Sequence, residues 1–184
     1  MAQAKIIVDT NSYLRLAQSI DPLLLQEFGV EQYCLYALPE LNDELSNRKL
    51  KSSFSWTQQP NYFENRSVFP NMSRKQKKSL TETFDFLWAY VKANELYPSK
   101  VDTSYIAHGI ELEIPVVTDD QNMIKLAVDQ DVEAILTLNL MKLMLDSSHI
   151  DIAKVKSIAK YWQAISDCPA NFKSDLKSIF NITI

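Results

Sequence analysis

Six carboxylates occupy positions where chemistry is plausible. Asp9 ends the apolar run Ile6-Ile7-Val8 and is followed by Thr10 and Asn11. Asp119 and Asp120 follow a second apolar run, Pro115-Val116-Val117-Thr118. Glu40 and Glu44 stand four apart behind Pro39, which places them on one face of a helix. Asp102 falls in the first turn of a helix that precedes the second run. Carboxylates crowded into one cleft repel each other and hold protons unless a cation is present. Hard oxygen donors without His or Cys favour Mg²⁺ or Mn²⁺. Such ions activate water and steady both oxygens of an in-line phosphoryl displacement. In that arrangement Asp9 is a metal ligand, and Asn11 orients the carboxylate or a metal-bound water. Each acid also has an ordinary role. Asp9, Asp102 and the Asp119-Asp120 pair suit helix starts, and Glu40 and Glu44 suit a solvated helix face. A cap and a ligand can be the same residue.

For these acids to meet, they must lie at one edge of a sheet. Ligands of parallel α/β sheets bind beyond the carboxyl ends of the strands. Four short apolar runs read as strands: AKIIV, YCLYAL, IPVVT and EAILT. Helical patterns alternate with them, which predicts a parallel sheet with helices on its faces. The pattern predicts helices from Ser12 to Ala17 and from Pro22 to Phe28, the latter capped by Asp21 and ended by Gly29. It predicts one helix through PELNDELSNRKL and another from Ser73, whose Leu80, Phe84, Leu87, Trp88 and Val91 recur at helical spacing. DTSYIAHGIELE and DDQNMIKLAVDQ read as further helices. Residues 52–72 mix Ser, Gln, Asn and Pro with Phe54, Trp56, Tyr62, Phe63 and Phe69, and read as a long aromatic loop. Beyond Asn139 the pattern is helical throughout, with Ile152, Val155, Ile158, Ala159 and Trp162 on one face.

The chain of 184 residues is 46% apolar and 23% charged, which suits one globular domain with an appendage. Gly29 and Gly109 are its only glycines, so Gly-rich phosphate loops are excluded. Cys34 and Cys168 form no paired motif and read as reduced thiols. No apolar stretch reaches membrane length and no signal region opens the chain, so the expected location is cytoplasmic. The net charge of −4 is uneven: residues 47–78 hold eight cations against Glu64 alone, so this segment carries +7 and the rest −11. An acidic cleft repels a polyanion, so a polyanionic substrate would need cations elsewhere. Arg74, Lys75, Lys77 and Lys78 are the expected phosphate contacts, with Trp56 among the aromatics available for stacking on bases.

Over residues 4–138 the sequence resembles the PIN-domain nucleases. IIVDTNSYL is similar to the family's opening strand with its first acid. VDTSYIAHGIELEIPVVTDDQNMIKLA is similar to the half in which an acid begins a helix and a strand ends in Thr-x-Asp. LPELNDELSNRKL resembles the helix carrying the family's glutamate. The resemblance implies a three-layer α/β/α fold with a central parallel sheet. It implies Asp9, Glu44, Asp102 and Asp120 as the catalytic metal ligands for Mg²⁺ or Mn²⁺. Glu40 is the competing glutamate, because Glu40-Leu41 and Glu44-Leu45 both fit. Thr118 and Asp119 would support the metal, a bound water or the phosphate, together with Asn11.

The expected domains are a PIN-like nuclease domain, 1–138, with the basic aromatic insertion 47–78, and a helical C-terminal extension, 139–184, packing on the core. The expected function is metal-dependent hydrolysis of RNA phosphodiester bonds. The resemblance implies two settings, a VapC-type toxin paired with an antitoxin and an RNA-processing nuclease. The insertion and the tail depart from the compact toxins. The rival expectation is a non-catalytic PIN-like module that binds RNA or a protein. A nucleophilic-aspartate phosphatase fits less well, because Asp9-Thr10-Asn11 lacks the paired Asp-x-Asp. The oligomeric state is open.

Overall fold

The computed structural model describes residues 3–184; Met1 and Ala2, the first two residues of the expected domain, lie outside them. Four strands form one parallel sheet: β1 (Ala4–Val8), β2 (Tyr33–Tyr36), β3 (Val116–Val117) and β4 (Ala134–Ile135), in the order β2-β1-β3-β4. Ile7 stands opposite Tyr36 on one side and Val116 on the other, and Val117 stands opposite Ile135. The central strand is apolar on both faces because both are covered. Ile6 and Val8 point into one core and Ile7 into the other, as the two-residue period of a strand requires.

The first core lies under α1 (Thr10–Leu16), α8 (Thr137–Asp146), α9 (Ile152–Ala164) and α10 (Phe172–Phe180). The second lies under α5 (Arg74–Ala93), α6 (Lys100–Leu112) and α7 (Gln121–Asp129). The molecule is therefore a three-layer α/β/α protein with a central parallel sheet. The tail helices share a core with the sheet: Leu140, Met144, Val155, Trp162 and Leu176 pack in one cluster with Ile6, Val8 and Tyr13. Helix α8 already begins at Thr137, ahead of the expected boundary at 139. On α9, Val155, Ile158, Ala159 and Trp162 are buried as the spacing requires, but Ile152 is 42% exposed.

Several local expectations are corrected. Helix α1 starts at Thr10 rather than Ser12, because Asp9 itself accepts from the Ser12 N–H and caps it. Residues 22–28 form no helix. Leu25 takes a left-handed φ of 64°, and its N–H donates to the Leu35 carbonyl, while Phe28 and Tyr33 exchange backbone bonds. The backbone donors that a helix would use are committed to the β2 region. The helix expected through residues 39–50 breaks at Asn47, whose backbone is extended and whose side chain caps a new turn. The result is α2 (Glu40–Ser46) followed by α3 (Arg48–Ser53).

The expected loop at 52–72 contains the end of α3, a 3-10 turn (Ser55–Gln58) and α4 (Pro60–Arg66). Proline suits the first turn of α4, where a missing N–H costs nothing. Arg66 anchors this insertion. It is 2% exposed and donates to the Asn42 side chain, the Tyr13 hydroxyl and the Thr57 carbonyl, each at 3.0 Å. Its guanidinium also lies over the Tyr13 ring, 5.6 Å from the centroid.

Candidate acidic site at the carboxyl edge of the sheet

Parallel pairing of β1 with β3 brings the residues just past both strands to the same edge. Asp9 is 3% exposed there. Its Oδ1 accepts from the Ser12 N–H and its Oδ2 from the Thr118 hydroxyl, both at 2.7 Å. Burial pushes its carboxyl up to about 6, against the lowering effect of the Ser12 and Thr118 hydrogen bonds; the charge of Asp119 adds to the rise. Thr118 Oγ1 in turn accepts from the Asp120 N–H at 3.1 Å. Asp120 caps α7, its Oδ1 accepting from the Asn122 and Met123 N–H groups at 2.9 Å. Its Oδ2 has no donor among the described residues.

Asp119 faces differently. It accepts from the Thr137 N–H at 3.0 Å and from the Thr137 hydroxyl at 2.6 Å, and it pairs with Arg15 at 2.9 Å. Arg15 also pairs with Asp167 of the C-terminal segment at 2.9 Å. Asn11 is exposed and shares a cleft of about 180 Å³ with Arg15, Asp119, Asp120 and Cys168.

A second group of acids comes from α2 and α6. Glu44 is half-buried and accepts from the Thr10 hydroxyl. Burial raises its carboxyl, the Thr10 hydrogen bond opposes the rise, and the charges of Asp102 and Glu40 add to it. Glu40 accepts from the Ser104 hydroxyl at 3.0 Å. The N-cap of α6 is Ser99, not Asp102. Asp102 is the third helical residue and reaches back to the Ser99 N–H at 2.8 Å, completing a capping box.

The two groups meet at Tyr105. This phenol is buried, and its hydroxyl has no hydrogen-bond partner among the described residues. Burial drives its ionisation far up, and the charges of Asp9, Glu44 and Glu40 drive it further. Thr10 stands beside it but gives its proton to Glu44. Among the described residues, no three His, Cys, Asp or Glu side chains approach closely enough to hold one metal ion. Each acid is instead held by a backbone or hydroxyl donor.

The arrangement can concentrate negative charge at one sheet edge, where burial raises the carboxyls of Asp9 and Glu44. Sequence reasoning located the acids but missed Thr10, Arg15, Tyr105 and Thr137. The two threonines had a signal, each standing next to a strand end. Tyr105 had only its helical spacing of three from Asp102.

The expected phosphate contacts lie elsewhere. Arg74, Lys75, Lys77 and Lys78 are exposed in the first turns of α5. Next to them, Ser79 and Thr83 donate to Glu111 near the end of α6. Glu111 is nine residues from Asp102, or about 13 Å along the helix at 1.5 Å per residue. Trp56 is half-buried, with Tyr62 at 4.8 Å and Tyr13 at 6.1 Å between ring centroids.

Fold and site define a three-layer α/β/α protein with an acidic edge site. No protein-family model matches the chain, and no curated protein matches it. Among solved structures it is similar to FitAcB from Neisseria gonorrhoeae, with 16% sequence identity and a TM-score of 0.48, over 72% of this chain and 98% of that one. No described helix is long and apolar enough to cross a membrane.

Proposed function

We propose that the chain is a PIN-type, metal-dependent endoribonuclease. The observation that carries this reading is Asp9: a carboxylate buried beyond the central strand, bridged through Thr118 to the strand that bears Asp120. Desolvating an acid at a strand tip is costly for a structural cap alone, since an asparagine would cap as well without the charge. The donor chemistry fits a hard cation. Asp9, Asp120, Glu44 and Asp102 offer only oxygens, and burial, with the charges of Asp102 and Glu40 adding to it, disfavours ionised Glu44 unless a cation compensates. Mg²⁺ or Mn²⁺ held by these four acids would supply an activated water and charge neutralisation. Asp9 is positioned by Ser12 and Thr118, Glu44 by Thr10, and Asp120 by its own helix start. Asn11 lines the open side, where a phosphate would enter. RNA is the proposed substrate. An antitoxin would be the partner if the setting is that of a VapC-type toxin.

A second reading, a non-catalytic PIN-like binding module, draws on the lack of a ready three-carboxylate cage among the described residues. One assay separates them. Purified protein is incubated with labelled RNA in Mn²⁺, Mg²⁺ or EDTA, beside Asp9→Asn. Metal-dependent cleavage lost in the variant supports the nuclease. RNA binding without cleavage in any metal supports the module.

A further inference from the structure

We propose that Trp88, Lys92, Lys100 and Tyr97 form a platform for single-stranded RNA at the Asp102 end of the acidic site. The inference rests on the nuclease reading above. It starts from two lysines gathered on one ring: Lys92 Nζ lies 5.1 Å and Lys100 Nζ 5.7 Å from the Trp88 centroid. Both are exposed, and the ring is half-buried. The ion pairs among the described residues involve Arg15, Lys78 and Lys142 only, so neither lysine has a carboxylate partner. Lys92 lies in the last turn of α5, where the helix dipole favours a cation. Lys100 is the first residue of α6, where the dipole opposes one. Two like charges, one of them against a dipole, are best compensated by an external anion.

Position supplies the identity of that anion. Lys100 is two residues from Asp102, whose charge reaches Glu44 in the site. A strand entering the acidic edge needs cations flanking it. Arg15 is committed to Asp119 and Asp167, Arg66 is buried, Arg74–Lys78 start beside the far end of α6, and Arg48, Lys49 and Lys51 are exposed on α3, beyond the Glu44 helix. The Lys92–Lys100 pair is a cation pair at the start of the helix that carries Asp102. Tyr97 adds the second component of single-strand recognition. It is 78% exposed, yet it sits between Leu96 and Pro98, which are both buried, so an aromatic ring is presented on an anchored turn. Cations that track phosphates beside rings that stack on bases are how single strands are held without sequence preference.

The test uses the full chain carrying Asp9→Asn, to suppress cleavage, and a short labelled single-stranded RNA titrated at several salt concentrations. Lys92→Gln with Lys100→Gln should weaken binding about tenfold or more and reduce the salt slope by about 1.4, two phosphates at 0.7 each. Tyr97→Ala should weaken binding about fivefold or more with the slope unchanged. Melting temperature monitors folding in each variant. If the lysine pair served only to pack on Trp88, the double variant would melt lower and bind RNA as before, which overturns the platform while RNA cleavage by the unmodified chain leaves the nuclease standing. A parent chain that neither binds nor cuts RNA overturns both.

Discussion

The Thr118 hydroxyl donates to Asp9 Oδ2 at 2.7 Å across the junction of β3 and β1. One side chain thus couples two strand ends, since the same oxygen accepts from the Asp120 N–H. The bond does not fully offset the burial of Asp9, whose carboxyl remains raised to about 6. A residue held this way is a source of instability at neutral pH unless something positive joins it.

Asp9→Asn should therefore stabilise the metal-free protein at pH 7.5. The ordinary carboxyl value is 3.8, so between about pH 4 and 6 the folded chain keeps a proton that the unfolded chain has lost. Stability falls as pH rises through that window, by about 3 kcal/mol at most at 1.36 kcal/mol per unit. Asparagine still caps α1 and carries no such penalty. Melting curves should place the variant above the native chain at pH 7.5 and level with it at pH 4. Adding Mn²⁺ at pH 7.5 should raise the native melting temperature and leave the variant unmoved.

Thr118→Val leaves Asp9 Oδ2 and the Asp120 N–H without their partner. The expected cost is about 1–3 kcal/mol. It also removes a hydrogen bond that favours the ionised form, so the carboxyl of Asp9 moves up. If cleavage requires ionised Asp9, the acid limb of the pH–rate profile shifts to higher pH, while Thr118→Ser restores it.

The two glutamates of α2 separate by partner. Glu44 is raised by burial and by Asp102 and is held by Thr10, next to Asp9. Glu40 is held by Ser104 on α6. Glu44→Gln should reduce cleavage about 100-fold or more, and Glu40→Gln by less than about tenfold, in the range of lost charge-stabilising groups. Initial rates on one RNA at saturating metal decide it, and the reverse ranking moves the ligand to Glu40.

Arg66 offers a test of the insertion. Arg66→Met removes a buried charge but leaves the Thr57 carbonyl and the Asn42 side chain without their donor. The expected loss is about 2–3 kcal/mol. Amide hydrogen exchange should quicken over α3 and α4 before it does in the sheet.

What the sequence showed of this fold depended on how local the cause was. Strand β1 was legible because three apolar residues run into an acid, and α5 because Leu80, Phe84, Leu87, Trp88 and Val91 recur at helical spacing; the capping box of Ser73 and Gln76 fixes its start. The site acids were legible as a set only because parallel strands bring their far ends to one edge. Asp102 was read as starting α6, whereas Ser99 starts it, since both residues suit a helix beginning and the reciprocal bond decides between them. The insertion was illegible because its helices are short and its anchor, Arg66, reaches residues 53 and 24 positions away. Asp21-Pro22 is an equally good start for a helix or a turn, and the choice is made by the Leu35 carbonyl.

The C-terminal helices are a part of the core whose removal should be felt at the site. Trp162 is fully buried, its Nε1 donates to the Arg15 carbonyl at 2.9 Å, and its ring lies 5.9 Å from that of Phe172. Truncating it to Ala should cost about 3–5 kcal/mol. Trp162→Phe, which keeps most of the volume and loses the donor, should cost less. Deleting residues 147–184 goes further. It removes the cover provided by Val155, Ile158, Trp162, Phe172 and Leu176 and strips Arg15 of Asp167. Residues 1–146 alone should therefore be insoluble or molten, with exposed apolar surface that binds a hydrophobic dye. A soluble truncation that melts at the full-length temperature would show that the first core closes without the tail.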